Sequence, residues 1–237
     1  IDGCGVPEIF PNTPGQPQSF FKLLTDETGK GTGKFEKFVI GKNPSGHGMG
    51  FGDINGDGRV DILLARGWLE QPEDPFQGPW VFHEEYDLGW DASVPILAHD
   101  VTGNGLMDII AGHAHSYGLA WYEQVMGPDG ARSWIKHDID NTVAQYHDMV
   151  LVDMDGDVEL ELLTGKRYRA HCGNDPGDND PAGIYYFKIN GGAFEKHVID
   201  YGPAGEASGV GIYFWVGDIN GDGVLDIVAP GKEGLFL

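Results

Sequence analysis

Basic residues are scarce in this chain: 15 Lys and Arg stand against 37 Asp and Glu, a formal net charge of −22. A nucleic-acid partner requires a basic face to neutralise phosphates, so that class is excluded. Cysteine is nearly absent. Cys4 and Cys172 form neither a framework nor a CxxC pair, and both are expected to be free. No apolar run approaches the roughly 18 residues of a membrane span. The chain opens on Ile1 with no signal peptide, which reads as a mature form or an excised piece. HExxH, G-x-S-x-G and Walker sequences are missing, which removes zincin, α/β-hydrolase and P-loop chemistry. "GKGTGK" (29–34) has no helix after it and reads as a hairpin turn. Helical periodicity is weak throughout.

Acidic, glycine-laced loops are what the chain has instead. In "DINGDGRVDILLARG" (53–67), Asp53, Asn55, Asp57 and Asp61 offer side-chain oxygens at positions 1, 3, 5 and 9, with the Arg59 carbonyl at position 7. "DINGDGVLDIVAPG" (218–231) repeats the set with Asp218, Asn220, Asp222, the Val224 carbonyl and Asp226. Hard Ca²⁺ takes six to eight oxygens at roughly 2.3–2.6 Å, which a sharply turned loop can supply. An EF-hand would need a Glu at position 12 and flanking helices; here position 12 is Leu64 or Ala229 and the exit reads as β. Two weaker copies offer Asp100, Thr102, Asn104 and Asp108, then Asp153, Asp155, Asp157 and Glu161. A partial copy over residues 1–8 aligns Asp2, Cys4 and Glu8 with Asn55, Asp57 and Asp61. Twelve acidic residues occupy ligand positions in the four full copies, so much of the negative charge is cation-binding capacity.

The leading aspartates at 53, 100, 153 and 218 are spaced by 47, 53 and 65 residues. Each repeat reads as four short strands: one before the acidic loop ("HGMGFGD", "HDMVLVD"), one after ("VDILLA", "MDIIAGH"), an aromatic third ("GLAWYEQ", "GIYYFKI") and an amphipathic fourth ("SWIKHDI", "AFEKHVI"). Four antiparallel strands at this period predict an all-β chain, a β-propeller of four-stranded blades over residues 1–237. The acidic loop followed by an apolar strand resembles the FG-GAP, or VCBS, repeat of integrin-type and bacterial secreted propellers. That resemblance implies structural calcium and seven or eight blades, of which this chain would be a segment. A segment of this kind is expected to self-associate or to pair with its missing blades.

Chemistry is expected at the other end of the blades. His47 and His147 each stand six residues ahead of a loop aspartate. The connections between second and third strands add His113, His115 and Tyr117, then Lys166, Arg167, Tyr168, Arg169 and His171. Residues at i and i+2 of an extended segment share a face, so His113 and His115 are expected to chelate a divalent transition metal. This layout resembles the propeller-fold carbohydrate lyases and the propeller domain of aldos-2-ulose dehydratase. It implies β-elimination on a carbohydrate, with His147, Tyr146, Arg167 and Tyr168 catalytic and His47, Tyr117, Lys166 and His171 contacting substrate. The alternative is a non-catalytic propeller that binds a glycan or a protein and uses calcium only for rigidity.

Overall fold

The computed structural model describes residues 1–13, 15–44, 46–232 and 234–237. Seventeen strands and one short 3₁₀ turn make up the regular structure of these residues, and none of them forms an α-helix. The first two strands, β1 (Pro17–Thr25) and β2 (Gly31–Pro44), form a hairpin whose turn lies at 26–30, where Asp26 N donates to Lys30 O and Gly29 N to Asp26 O. This is a few residues ahead of the turn expected at 29–34, most of which belongs to β2. Next come β3 (Met49–Gly52), β4 (Asp61–Leu64), β5 (Gly67–Glu70) and β6 (Val81–His83), then β7 (Ile96–His99), β8 (Asp108–Gly112), β9 (Tyr117–Met126) and β10 (Arg132–Ala144). A third quartet follows: β11 (Tyr146–Val152), β12 (Glu161–Lys166), β13 (Ala182–Asn190) and β14 (Ala193–Gly202). The last sheet has three strands, β15 (Trp215–Gly217), β16 (Asp226–Gly231) and β17 (Gly234–Phe236).

Within each quartet the strands pair antiparallel in chain order; the strand expected after the partial acidic loop at 1–8 is reduced to one bridge, Ile9 to Phe21. One feature differs from four-stranded sheets standing apart. β3 pairs with β7 in parallel, at Gly50↔Ile96 and Phe51↔Leu97, which fuses two quartets into one eight-stranded sheet. Glycine permits this: a Cβ on Gly50 would lie 1.8 Å from the Ile96 carbonyl oxygen.

Cores lie between successive sheets. Consecutive residues of a strand face opposite sides, so Leu63 packs with Ile96 and Ile109 while Ile62 and Leu64 pack with Phe20 and Ile40. Leu162 joins Ile110 and Trp121, and its neighbour Leu163 joins Val210 and Phe214. The second strands β4, β8 and β12 are buried on both faces, which explains the continuous apolar runs after the first three complete acidic loops. The acidic loops lie at the first-to-second strand connections. The opposite ends of the strands carry the second-to-third connections and those between quartets, and with them His47, His113, His115, His147 and His171.

Candidate metal centre

Three histidines from three strand quartets meet at that opposite end. His47 leads into β3, His115 lies in the β8–β9 connection and His147 is the second residue of β11. Their ligand nitrogens all fall within 4.8 Å of one another. The rings stand nearly perpendicular, with centroids 4.6 Å apart for His47–His115, 5.1 Å for His47–His147 and 6.0 Å for His115–His147.

The second ring nitrogens define what this trio can hold. His47 Nδ1 is 2.8 Å from the Ala92 carbonyl, which can only accept, so that nitrogen carries the hydrogen. His115 Nδ1 is 2.8 Å from Asp175 Oδ2, which selects the same tautomer. Both Nε2 atoms then present lone pairs, yet they face each other at 2.9 Å. Such an arrangement repels unless a proton or a cation lies between the two. An imidazole whose other N–H is held by a carbonyl or carboxylate is the usual form of a metal ligand. His147 is 8% exposed, and its buried Nδ1 has no hydrogen-bond partner among the described residues. Burial, then the Arg167 charge and the neighbouring imidazoles, push its pKa down to about 3.

So low a pKa disfavours the base expected at His147 and suits a neutral ligand. For Tyr146 the geometry corrects the expected role. Tyr146 is fully buried, its hydroxyl donates to Asp140 Oδ2 at 2.8 Å, and burial and the Asp140 charge raise its pKa strongly. Strand alternation sends Tyr146 into the core and His147 to the centre, so the two cannot act together. His113 and His115 do not chelate as a pair. Residues 114–116 bend away from extended geometry. His113 Nδ1 sits 2.9 Å from Asp91 Oδ1, while His115 reaches His47. Lys166, expected to contact substrate, is buried and donates to Gln145 Oε1 at 2.7 Å. Tyr117 is exposed, with its hydroxyl 2.6 Å from Asp180 Oδ2.

Three residues unnamed in the sequence reading complete the site. Asp91 is buried and holds the 113–116 bend: Oδ1 meets His113, and Oδ2 accepts from Ser116 Oγ at 2.6 Å and His115 N at 3.3 Å. Burial would raise its pKa, but the His113 and Ser116 bonds outweigh it and bring the group to about 2. Asp175 bridges His115 and His171, whose Nδ1 is 3.1 Å from Asp175 Oδ1. These three form a second group with ligand atoms within 4.8 Å. Trp90, 71% exposed, lies parallel to His115 at 5.7 Å, and His171 stacks on His115 at 4.4 Å. A Trp in the glycine-flanked loop "LGWDAS" was the available signal. The β12–β13 connection holds Arg169, His171 and Cys172 at φ of 47°, 46° and 59°, a left-handed backbone that costs side-chain-bearing residues energy.

Another three histidines are structural. His83, His137 and His197 stack on their cross-strand partners Trp68, Trp121 and Tyr186 with centroids 4.2, 4.4 and 4.7 Å apart. These third-to-fourth-strand pairs recur in each quartet.

The acidic loops share one hydrogen-bond plan. The leading Asp53 accepts from Gly56 N, Asp57 N and Gly58 N at 2.8–3.0 Å, and Asp100 and Asp218 do the same in their loops. Asp153 accepts from Gly156 and Val158. Position 9 clips the loop to the sheet: Asp61 accepts from Ile54 N and Gln71 N, and Asp108 from Val101 N and Gln124 N. Glu161 and Asp226 accept from Met154 N and Ile219 N. Burial raises the Asp61 carboxyl to about 6. Asp2 and Glu8 reproduce the plan through Cys4 N and the Ile1 amine.

Two groups among the described residues bring three such side chains within 4.8 Å: Asp153, Asp155 and Glu161, and Asp2, Cys4 and Glu8. Thr102 Oγ1 and Glu8 Oε1, both at ligand positions, are buried without partners. At Asp57 the Arg59 guanidinium pairs with Oδ2. Cys4 and Cys172 are free. No protein-family model matches this chain, and no curated protein matches it either.

Proposed function

We propose that this chain is a calcium-braced, secreted β-propeller that holds a divalent transition metal at His47, His115 and His147 and carries out β-elimination on a carbohydrate. The observation that carries the reading is that trio, with two second nitrogens already committed to Ala92 and Asp175. Three imidazoles leave open coordination positions, as catalytic sites do, and suit Zn, Fe, Ni or Cu. Three complete quartets stacked through shared cores support radial blades, and the buried orphan oxygens in the acidic loops support calcium there.

In such an elimination, a C–H bond beside a carboxylate or carbonyl breaks and its electron pair forms the new C=C bond. The β C–O bond then breaks and its oxygen takes a proton. A bound metal supplies Lewis-acid polarisation of the carboxylate or carbonyl oxygen. His171 suits the base, being exposed, with Nδ1 on Asp175 and Nε2 left to accept. Arg167, half-buried, holds the charge that develops on the oxygen. Tyr168, beside it, donates to the leaving oxygen.

Metal analysis and calorimetry with Zn²⁺ test the centre. His47→Ala and His147→Ala should each lose at least about tenfold in affinity, with the metal-free melting temperature nearly unchanged, while His113→Ala keeps the metal. Both variants should also lose the ultraviolet absorbance of unsaturated product from uronate polymers or keto-sugars. Equal Zn²⁺ binding by His147→Ala would refute the centre. Metal binding with no product from the whole panel would favour the non-catalytic binding module.

A further inference from the structure

Beyond Arg167 the β12–β13 connection meets the segment ahead of β15 and encloses a groove of about 360 Å³. Arg167, Tyr168, Ile212, Tyr213 and Lys232 form its walls. Ile212 and Tyr213 are 62% and 64% exposed, although both are large and apolar in body. In a chain where acids outnumber bases 37 to 15, the described lining contains two cations and no Asp or Glu. Lys232 Nζ is tethered to the Arg169 carbonyl at 2.6 Å, a neutral acceptor that leaves its charge unspent. The acid that Arg167 feels, Asp175, has its two oxygens on His115 and His171.

We propose that this groove is a subsite for an anionic sugar residue, carrying a carboxylate or a sulfate ester, next to the residue held at the histidine centre. The proposal rests on the carbohydrate reading above. The volume suits one ring, at the lower end of small-molecule sites, which are lined by aromatic faces with a few placed polar groups. Tyr213 supplies a face and Lys232 a point charge for the anion, while Arg167 and Tyr168, which the elimination uses, form the wall shared with the centre. The groove adjoins the centre, since Arg167, which lines it, donates its backbone N–H to the carbonyl of Gln145, two residues ahead of His147.

The test uses the full, Zn²⁺-loaded chain and three tetrasaccharides of one backbone: a uronate form, a sulfated neutral form and an uncharged form. Calorimetry at low and high NaCl should show at least one anionic form binding about tenfold or more tighter than the uncharged one, with the advantage shrinking as salt rises. Preference between uronate and sulfate names the source of the charge. Lys232→Gln and Tyr213→Ala should each weaken anionic binding about tenfold while metal content and melting temperature hold. Equal binding of the uncharged form, or parent-like binding by both variants, overturns the subsite. Turnover of a uronate oligosaccharide by Lys232→Gln with parent-like rate and KM would sink the subsite and leave the elimination reading standing. Lys232-dependent binding of an anionic form without any unsaturated product would do the reverse.

Discussion

Asp140 shows how a single carboxylate ties a buried phenol to the fold. Its oxygens accept from Tyr146 at 2.8 Å and from Thr142 N and Oγ1 at 2.7 and 2.6 Å, and Lys196 pairs with it. Burial would raise its pKa, but these bonds outweigh it and the group lies below the ordinary carboxylate range. A depressed folded pKa means stability that is fully present above the unfolded value, near pH 4, and lost as pH falls through the folded one. Asp140→Asn should therefore cost about 1–3 kcal/mol at pH 7 and flatten the acid limb of stability between pH 4 and 2. Urea titrations across that range check it; an unchanged acid limb would assign the pH dependence elsewhere. At this scale the sequence was only partly legible. His47 and His147 stood out as homologous positions, and their convergence follows from the repeat. Tyr146 was misread because adjacency in sequence means opposition on a strand. His115 was paired with the wrong partner because the bend at 114–116, held by Asp91 from a distant connection, has no local signature.

The acidic loops are the most legible elements, since their ligand spacing and first glycine recur in every complete copy, with Val158 taking the second glycine's left-handed backbone in one of them. Their relative order is less so. Asn55 and Asn220 made the loops at 53 and 218 look strongest, yet the carboxylates that converge are those at 153, 155 and 161. Side-chain convergence depends on partners outside the loop, such as Arg59 on Asp57 and Lys188 on Asp155. Each leading aspartate has two separable jobs, accepting loop N–H groups and contributing charge for a cation. EDTA should lower the melting temperature, and Ca²⁺ should restore it better than Mg²⁺, which demands tighter octahedral geometry. At free Ca²⁺ 100 times its dissociation constant, each site adds about 2.7 kcal/mol. Asp153→Ala and Asp53→Ala should destabilise the protein even in EDTA through the lost N–H bonds, by about 1–3 kcal/mol. The additional loss seen only with Ca²⁺ measures the cation's share. Identical melting curves with Ca²⁺ and EDTA would remove calcium from these loops.

For the whole molecule, the repeats foretold the quartets and their sequential pairing, because period-2 patterning and loop spacing are local. The parallel β3–β7 pairing was not foretold, since it depends on two backbones approaching across a gap that only Gly50 leaves open. Exposed apolar side chains gather on the last sheet: Trp215 is 45% exposed, Leu235 72% and Leu237 83%. β17 is an edge strand there, pairing with β16 alone. Edge strands with apolar faces offer unpaired N–H and C=O groups to other chains. Opposing this, a net charge of −22 makes copies repel one another. Salt decides the balance, because the screening length falls from about 30 Å at 0.01 M to about 8 Å at 0.15 M. Sedimentation velocity should accordingly show mass-average size rising with NaCl at fixed protein concentration. Leu235→Lys, which places a charge on the edge where natural sheets often carry one, should suppress that rise and leave the melting temperature within a few degrees. A monomer at every salt concentration would show that the last sheet is not an association surface, and an equally salt-dependent Leu235→Lys protein would move the contact to another face.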